Sequence, residues 1–92
     1  MNISSSQSVL WDSVAGASSY TVELLNAAAG AVLAEFETPG TEIPATVLLA
    51  DQSFGNYNVR VRAEEDAGPG AFSSLLPLTF VALSAPANLR VE

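Results

Sequence analysis

The side chains with the most obvious capacity for chemistry are the carboxylates, of which the 92-residue chain has ten. They are dense only at Asp51 and in the run Glu64-Glu65-Asp66, and such a cluster could hold a calcium ion. The spacing does not match the D-x-D-x-D-G pattern of a calcium-binding loop. The sequence therefore predicts a solvated turn after Glu64 and no metal site.

Nucleophilic chemistry would need a partner that the chain does not supply. Asp12 and the adjacent Ser13 could imitate part of a nucleophilic site, but there is no histidine, cysteine or lysine to act as base or activator. The segment Gly68-Pro69-Gly70 lacks the glycine spacing, the lysine and the following helix of a phosphate-binding loop. The sequence thus predicts a protein that is not an enzyme and uses no cofactor.

The charge balance is strongly acidic, with a net charge of −7 and only Arg60, Arg62 and Arg90 as cations. A surface of this sign repels nucleic acid and anionic membranes, so we expect neither as a partner. Solubility is the simplest consequence of the charge, and binding of calcium or of a cationic surface is the alternative. No apolar stretch reaches the roughly 18–20 residues of a membrane-spanning helix, and the N-terminal residues do not resemble a signal peptide.

The elements that must position these groups are β-strands, and the clearest of them covers residues 57–64. Apolar and polar residues alternate along it, which predicts a half-buried strand. Its inward-facing residues are Tyr57, Val59, Val61 and Ala63. The prediction makes this strand the centre of a sheet with one face toward the core and one toward solvent.

The outward face of this strand carries two of the three arginines. Arg60 and Arg62 would lie beside Glu23, Glu35 and Glu37 of neighbouring strands, where cross-strand ion pairs of a few tenths of a kcal/mol each are expected. A docking face for a partner is the alternative interpretation.

Short alternating stretches account for most of the remaining chain. They predict strands at residues 8–12, 20–26, 32–38, 41–44 and 72–81, with turns at residues 15–19, 26–30, 39–40 and 67–70. Residues 46–50 fit either a strand or a short helical turn. The alternation places Val9, Trp11, Tyr20, Val22 and Leu24 inward and Thr21 and Glu23 outward. Short strands without a sustained helical period predict a single all-β domain, a sandwich or a barrel.

Several residues at this joint spacing resemble those of a fibronectin type III domain. They are Trp11, Tyr20-Thr21-Val22 and the Tyr-x-Val-x-Val-x-Ala run from Tyr57, followed by Gly68-Pro69-Gly70 and Phe72-Ser73. The resemblance implies a seven-stranded antiparallel immunoglobulin-like sandwich, with Trp11 as the core tryptophan of strand B and Tyr57 making the tyrosine corner. The core signature would then be Trp11, Tyr20, Val22, Tyr57, Val59 and Val61.

Two departures from the family pattern carry consequences. The family usually has a leucine six residues before the tyrosine of the corner; here Asp51 stands there, and we expect Phe54 to fill the space. The family also opens with a strand A of the type Pro-x-x-Leu-x-Val, which is missing before Trp11 and appears instead from Pro86 to Val91. The predicted organisation is a core at residues 1–84, with strands B to G, and a strand A-like segment at residues 85–92.

Strand order argues against this segment folding back onto its own domain. In seven successive antiparallel strands the first and last run the same way, so the last strand ends at the pole opposite to the start of strand A. Such a strand is about 25–30 Å long, whereas the connection at residues 82–87 reaches at most about 20 Å. We therefore hypothesise that Asn88, Leu89, Arg90 and Val91 are donated to a neighbouring molecule, in a head-to-tail chain or a reciprocal dimer. An idle tail and a strained closure are the alternatives.

The resemblance implies a non-catalytic spacer or adhesion module, extracellular or on the cell surface, within a longer bacterial-type repeat protein. An accessory module of a secreted carbohydrate-active enzyme is the rival, which exposed aromatics such as Phe54 and Phe72 would support. An engineered permuted assembly unit is a third reading, suggested by Met1 directly before strand B. Self-association is the expected interaction, and no other protein or polysaccharide partner is indicated.

Overall fold

The computed structural model describes residues 1–83 and 85–91. Ser84 and Glu92, at the ends of the two predicted segments, lie outside the described residues. Strands dominate the described chain, which forms β1 (Asn2–Ile3), β2 (Ser8–Leu10), β3 (Ser19–Asn26), β4 (Val32–Thr38), β5 (Glu42–Pro44), α1 (Ala45–Leu48), β6 (Gly55–Glu65), β7 (Gly68–Phe72) and β8 (Leu76–Phe80). The fold class is therefore all-β, as the sequence predicts.

These strands form two sheets that enclose one core. The large sheet has the order β1-β8-β6-β3-β4, with β7 also beside β6, and the small sheet consists of β2 and β5. One edge of β6 is occupied by β3. The strands β7 and β8 must therefore follow each other along the other edge of β6, like one strand interrupted at residues 73–75. The sequence predicts seven strands, one of which, the strand A-like segment, forms no strand at residues 85–91. The remaining six, the interruption and the added β1 give the eight strand segments of the described chain.

The core draws side chains from both sheets. Val9 and Ile43 of the small sheet cluster with Val22 and Leu24 of β3 and Val59 of β6. Val22 and Leu24 have no exposed surface, because β3 has a strand on each side and the small sheet above it. Each such aliphatic side chain contributes about 1.5–3 kcal/mol of transfer free energy on burial.

Local sequence signals located most elements but not all of their ends. The strand at residues 32–38 is confirmed to the residue. The strand predicted at residues 8–12 ends earlier, at Leu10, although the Trp11 N–H still donates to the Thr41 carbonyl at 3.0 Å. The ambiguous stretch at residues 46–50 is helical at its start, in α1.

The turn predicted at residues 67–70 is wrong in position. Glu65 pairs with Gly68 and Glu64 with Pro69, so the turn lies at residues 66–67 and the glycines belong to β7. Pro69 is tolerated because β7 pairs only with β6 and needs no donor toward a second strand.

The first strand is an element that sequence reasoning missed. β1 runs parallel to β8, with the Thr79 N–H donating to the Met1 carbonyl at 2.8 Å and the Val81 N–H to the Ile3 carbonyl at 2.9 Å. Ile3 is buried and belongs to the core. A strand of two residues is too short to show a period of two, so the sequence contains no signal for it.

The expectation that Phe54 fills the core is also wrong. Its side chain is 62% exposed and lies edge-on against Phe80, with 4.9 Å between ring centroids. Leu48 and Leu49 are fully buried instead, because the turn of α1 directs both of them into the core.

Candidate interaction groove

The edge of the small sheet formed by β2 has no strand beside it in the described chain. Within residues 1–83 and 85–91, β2 pairs only with β5. Toward β5, the Ala45 N–H donates to the Gln7 carbonyl at 2.9 Å and Trp11 bonds to Thr41. Since backbone groups alternate in direction along an antiparallel strand, the N–H and C=O groups of Ser8 and Leu10 point away from β5. Such an edge is a template for another strand.

A continuous apolar groove follows this open edge, and we call it the open-edge groove. It consists of three adjoining cavities of about 240, 170 and 330 Å³. Val9 and Leu76 line both the first and the second cavity, and Trp11 and Val61 line both the second and the third. The three cavities therefore follow one another along β2, from Ser8 at its start to Asp12 beyond its end.

The two ends of the groove are built differently. Its first end is closed by β1 and β8, through residues that include Ile3 and Leu78. Its far end is walled by Tyr20 of β3 and Phe72 of β7. Both ends thus belong to the large sheet, so the groove is the gap between the two sheets along the unpaired side of β2.

Trp11 lies at the middle of the groove and carries an unpaired donor. Its ring meets Tyr20 in a T-shaped contact with 5.7 Å between centroids, and the Tyr20 hydroxyl accepts the Val14 N–H at 2.8 Å. The buried indole Nε1–H of Trp11 has no acceptor in the part of the chain that the structure describes. Buried indole N–H groups usually have a partner, so this one marks a place where an acceptor would be favourable.

The segment that the sequence assigns to strand donation lies outside this groove. Residues 85–91 form no strand and are exposed throughout, with Leu89 at 95% and Val91 at 99% exposure. Within the segment, Arg90 Nη1 donates to the Asn88 carbonyl at 2.9 Å. Two apolar side chains two residues apart are therefore presented to solvent.

The core signature residues lie around the groove and beneath it. Val22 and Val59 are fully buried, Tyr20 and Tyr57 are buried, and Trp11 and Val61 are half-buried against the core. The Tyr57 hydroxyl donates to the Ser53 carbonyl at 2.6 Å, four residues upstream. This hydrogen bond fixes the loop that leads into β6.

The outer face of the large sheet, by contrast, carries paired charged side chains on β3 and β6. Arg60 reaches Glu23 across β6 and β3, with 2.6 Å between Nη2 and Oε1, so this predicted cross-strand ion pair is confirmed. Arg62 bonds to Glu64 of its own strand at 2.7 Å, rather than to a neighbouring strand. Both guanidinium groups lie over the ring of Phe72, at 4.1 and 4.8 Å from its centroid.

This face explains why two residues predicted to point to solvent are buried. Thr21 and Glu23 do lie on the outer face of β3, but long side chains of β6 cover them. The Thr21 hydroxyl donates to Glu64 Oε1 at 2.8 Å. A polar residue in a central strand can thus be buried if its neighbours satisfy its hydrogen bonds.

The same contacts set the charge states on this face. The hydrogen bond from Arg62 and that from Thr21 lower the pKa of Glu64, and the bond to Glu64 raises the pKa of Arg62. Partial burial opposes both shifts but does not outweigh them. Glu64 therefore stays ionised to lower pH than an unpaired glutamate.

Other kinds of site find little support in the described residues. No three potential metal ligands come together within them, and Asp51 is exposed. Phe54 precedes the first residue of β6 while Phe72 pairs with Arg62 near its other end, so the two do not form one aromatic platform. Searching the same residues finds no helix long and apolar enough to cross a membrane.

Comparisons with known proteins assign no relative to this chain: no family model, no curated protein and no solved structure matches it. The geometry of the chain itself therefore carries the functional argument.

The sequence predicts that strand A is missing before Trp11, but it does not predict the walls of the groove. Ile3 carries no signal in the sequence, and Leu76 and Leu78 fall within the broad strand predicted at residues 72–81. The alternation of Leu76 and Leu78 on either side of Pro77 was the signal available, since residues two apart face the same way in a strand.

Proposed function

We propose that this chain is a non-catalytic spacer and interaction module of the fibronectin type III kind, extracellular or on the cell surface, within a longer repeat protein. Three features support this assignment: two sheets around one core, the contact between Trp11 and Tyr20, and the hydrogen bond from Tyr57 to the loop before its strand. The lack of histidine, cysteine and lysine supports a role without catalysis.

The open-edge groove is the observation that carries the proposed interaction. An unpaired strand edge beside an apolar groove suits β-strand addition, in which main-chain hydrogen bonds give affinity and alternate side chains fill pockets. The occupant that fits is the segment at residues 88–91 of a second copy. It offers two apolar side chains at strand spacing, and it is exposed in its own molecule.

The expected affinity of this contact is modest. Burying Leu89 and Val91 would release about 4 kcal/mol in total, which alone corresponds to a dissociation constant near 1 mM. Main-chain hydrogen bonds to Leu10 add to this value, while ordering the tail subtracts from it. Assembly should therefore depend strongly on concentration between about 10 μM and 1 mM.

Light scattering over this concentration range tests the proposal. We expect the mass of the full chain to rise above that of one molecule. A chain ending at residue 84, and the full-length double variant Leu89→Ser with Val91→Ser, should keep the mass of one molecule. The double variant Ala85→Ser with Ala87→Ser is the matched control, because it changes two exposed tail residues outside the docking segment and should assemble normally.

Circular dichroism spectra of all variants should agree, since residues 85–91 touch none of the core. A full chain that stays monomeric at 1 mM would refute the proposed interaction. Assembly that persists in the chain ending at residue 84 would refute it as well, because the tail would then not be the occupant.

A further inference from the structure

We infer that the docked segment runs antiparallel to β2 of a second copy, with Leu89 beside Trp11 and Val91 beside Val9. This inference rests on the proposed function and specifies the direction and register of the contact. Four observations carry it: the polarity of β2, the point where the tail leaves the domain, the reach of the tail, and the spacing of apolar residues on both sides.

The polarity of β2 follows from the lining of the groove. Met1 and Ser8 line the cavity closed by β1 and β8, whereas Asp12 lines the cavity walled by Phe72. β2 therefore runs from the end of the domain where β8 finishes to the end where β7 lies. Phe80, the last residue of β8, pairs with Ile3 at the first of these ends.

The tail consequently leaves the domain at the end where β2 begins. A segment antiparallel to β2 must enter the groove at the other end, beyond Trp11. Phe80 pairs with Gly55 of β6 and Trp11 shares a cavity with Val61, so these two points lie about six residues or 20 Å apart along β6. The connection at residues 82–87 extends at most about 20 Å, and it would also have to cross from the large sheet to the small one. Closure onto the same molecule would therefore need a fully extended connection, whereas the tail of a second copy meets no such limit.

Antiparallel pairing agrees with the strand that is already present. β2 pairs with β5 in the antiparallel sense, so a further antiparallel strand would continue a uniform small sheet. Antiparallel hydrogen bonds run perpendicular to the strands and are somewhat more stable per residue than the slanted bonds of a parallel pair.

The spacing of apolar residues then selects the register. Val9 and Trp11 face the groove and are two residues apart, as are Leu89 and Val91. Directly opposed residues of antiparallel strands point to the same face. Leu89 opposite Trp11 would fill the middle cavity, and Val91 opposite Val9 would fill the cavity beside Ile3.

This register also matches the backbone groups. Leu10 directs its N–H and C=O toward the open edge, and it would exchange hydrogen bonds with Arg90. Asp12 follows β2 and lines the cavity beyond Trp11, where it would lie opposite Asn88. The side chains of both tail residues would project outward, away from the groove.

The inferred contact has a direction, because the donor end and the acceptor end of each molecule are different surfaces. Repeated contacts of this type give an open head-to-tail chain, unless two copies exchange tails and close as a dimer. In either form, each molecule completes the small sheet of another.

Disulfide trapping tests the direction, and the absence of native cysteine makes each introduced pair unique. Asn88→Cys chains are mixed under mild oxidation with Asp12→Cys chains or, in a parallel reaction, with Ser8→Cys chains. Antiparallel docking in the stated register puts residue 88 opposite residue 12 and about 13 Å from residue 8. Bridging requires Cα atoms within about 7 Å, so we expect at least about tenfold more linked heterodimer with Asp12→Cys.

Three outcomes would overturn the inference. Preferential linkage of Asn88→Cys to Ser8→Cys would mean that the segment docks parallel to β2. Equal linkage to both partners, or linkage to neither, would mean another register. Linkage within a single chain carrying Asn88→Cys and Asp12→Cys would mean that the tail closes onto its own molecule. Light scattering of the same mixtures under reducing conditions distinguishes these three outcomes of the disulfide test from failure of the proposed function. If the reduced chains assemble, only the direction or register is wrong; if they remain monomeric, the proposed interaction itself fails.

Discussion

β3 and β2 both contribute to the core, but they differ in how completely they are surrounded. β3 has eight residues, with β4 on one edge and β6 on the other. β2 has three residues, and among the described strands it pairs only with β5. The buried polar side chains of β3, Thr21 and Glu23, are paired with residues of β6. Beside β2, the buried indole N–H of Trp11 has no such acceptor in the described chain.

The comparison separates the part of the molecule that stabilises the fold from the part that is able to bind. β3 is paired along both of its edges and side chains of β6 cover its outer face, which leaves no backbone group of β3 for a partner. Along β2 one edge and one apolar groove remain, which leaves the core incomplete on that side. Binding capacity therefore lies where the sheet is unfinished.

Two leucines test this separation with the largest expected effect. Leu24 in β3 has no exposed surface, and Leu10 in β2 is 70% exposed. Leu24→Ala should lower the free energy of unfolding by about 3 kcal/mol, through lost transfer free energy and a cavity. Leu10→Ala should change it by less than about 0.5 kcal/mol.

Urea denaturation at low protein concentration, where the chain is monomeric, measures both values. Equal costs for the two variants would contradict the comparison, since they would mean that β2 is packed as tightly as β3.

The ion pair between Glu23 and Arg60 should give the next effect. A double-mutant cycle with Glu23→Gln and Arg60→Gln should yield a coupling of about 0.5–1 kcal/mol, because the pair is partly shielded from water. Glu37, which has no ion pair with Arg60 among the described residues, supplies the control cycle with Glu37→Gln. Coupling of the same size in both cycles would show general charge attraction in place of a specific contact.

The smallest effect concerns pH. Because the pKa of Glu64 is lower in the folded chain, its contribution to stability is present above the unfolded pKa of about 4.3. That contribution is lost as the pH falls through the folded-state pKa. The stability of the native chain should therefore decrease more between pH 5 and pH 2 than that of Glu64→Gln.

Arg62→Gln should flatten the same pH dependence, since it removes the main group that lowers the pKa of Glu64. Thermal unfolding at a series of pH values measures all three proteins. Parallel curves for the native chain and Glu64→Gln would show that the contact does not affect stability.

Sequence reasoning succeeded for long elements and failed for short ones. The prediction for β4 is confirmed to the residue because turn residues flank seven residues of alternating pattern. The two residues of β1 carry no period, and the glycines of β7 resemble a turn although they pair with β6. Phe54 was misplaced because α1 supplies Leu48 and Leu49 to the core, and four helical residues are too few to predict with assurance.

The amino-acid sequence by itself determined the all-β class, the inward face of the longest strands, the acidic net charge and the lack of histidine, cysteine and lysine. These depend on residue type and on a period of two, which are properties of a single segment. Only the tertiary structure decided that Thr21 and Glu23 are buried, that β1 lies beside β8, and that three cavities join along β2. The physical reason is that alternation distinguishes the two faces of a strand, whereas burial of both faces and the freedom of an edge depend on which distant strands pair with it.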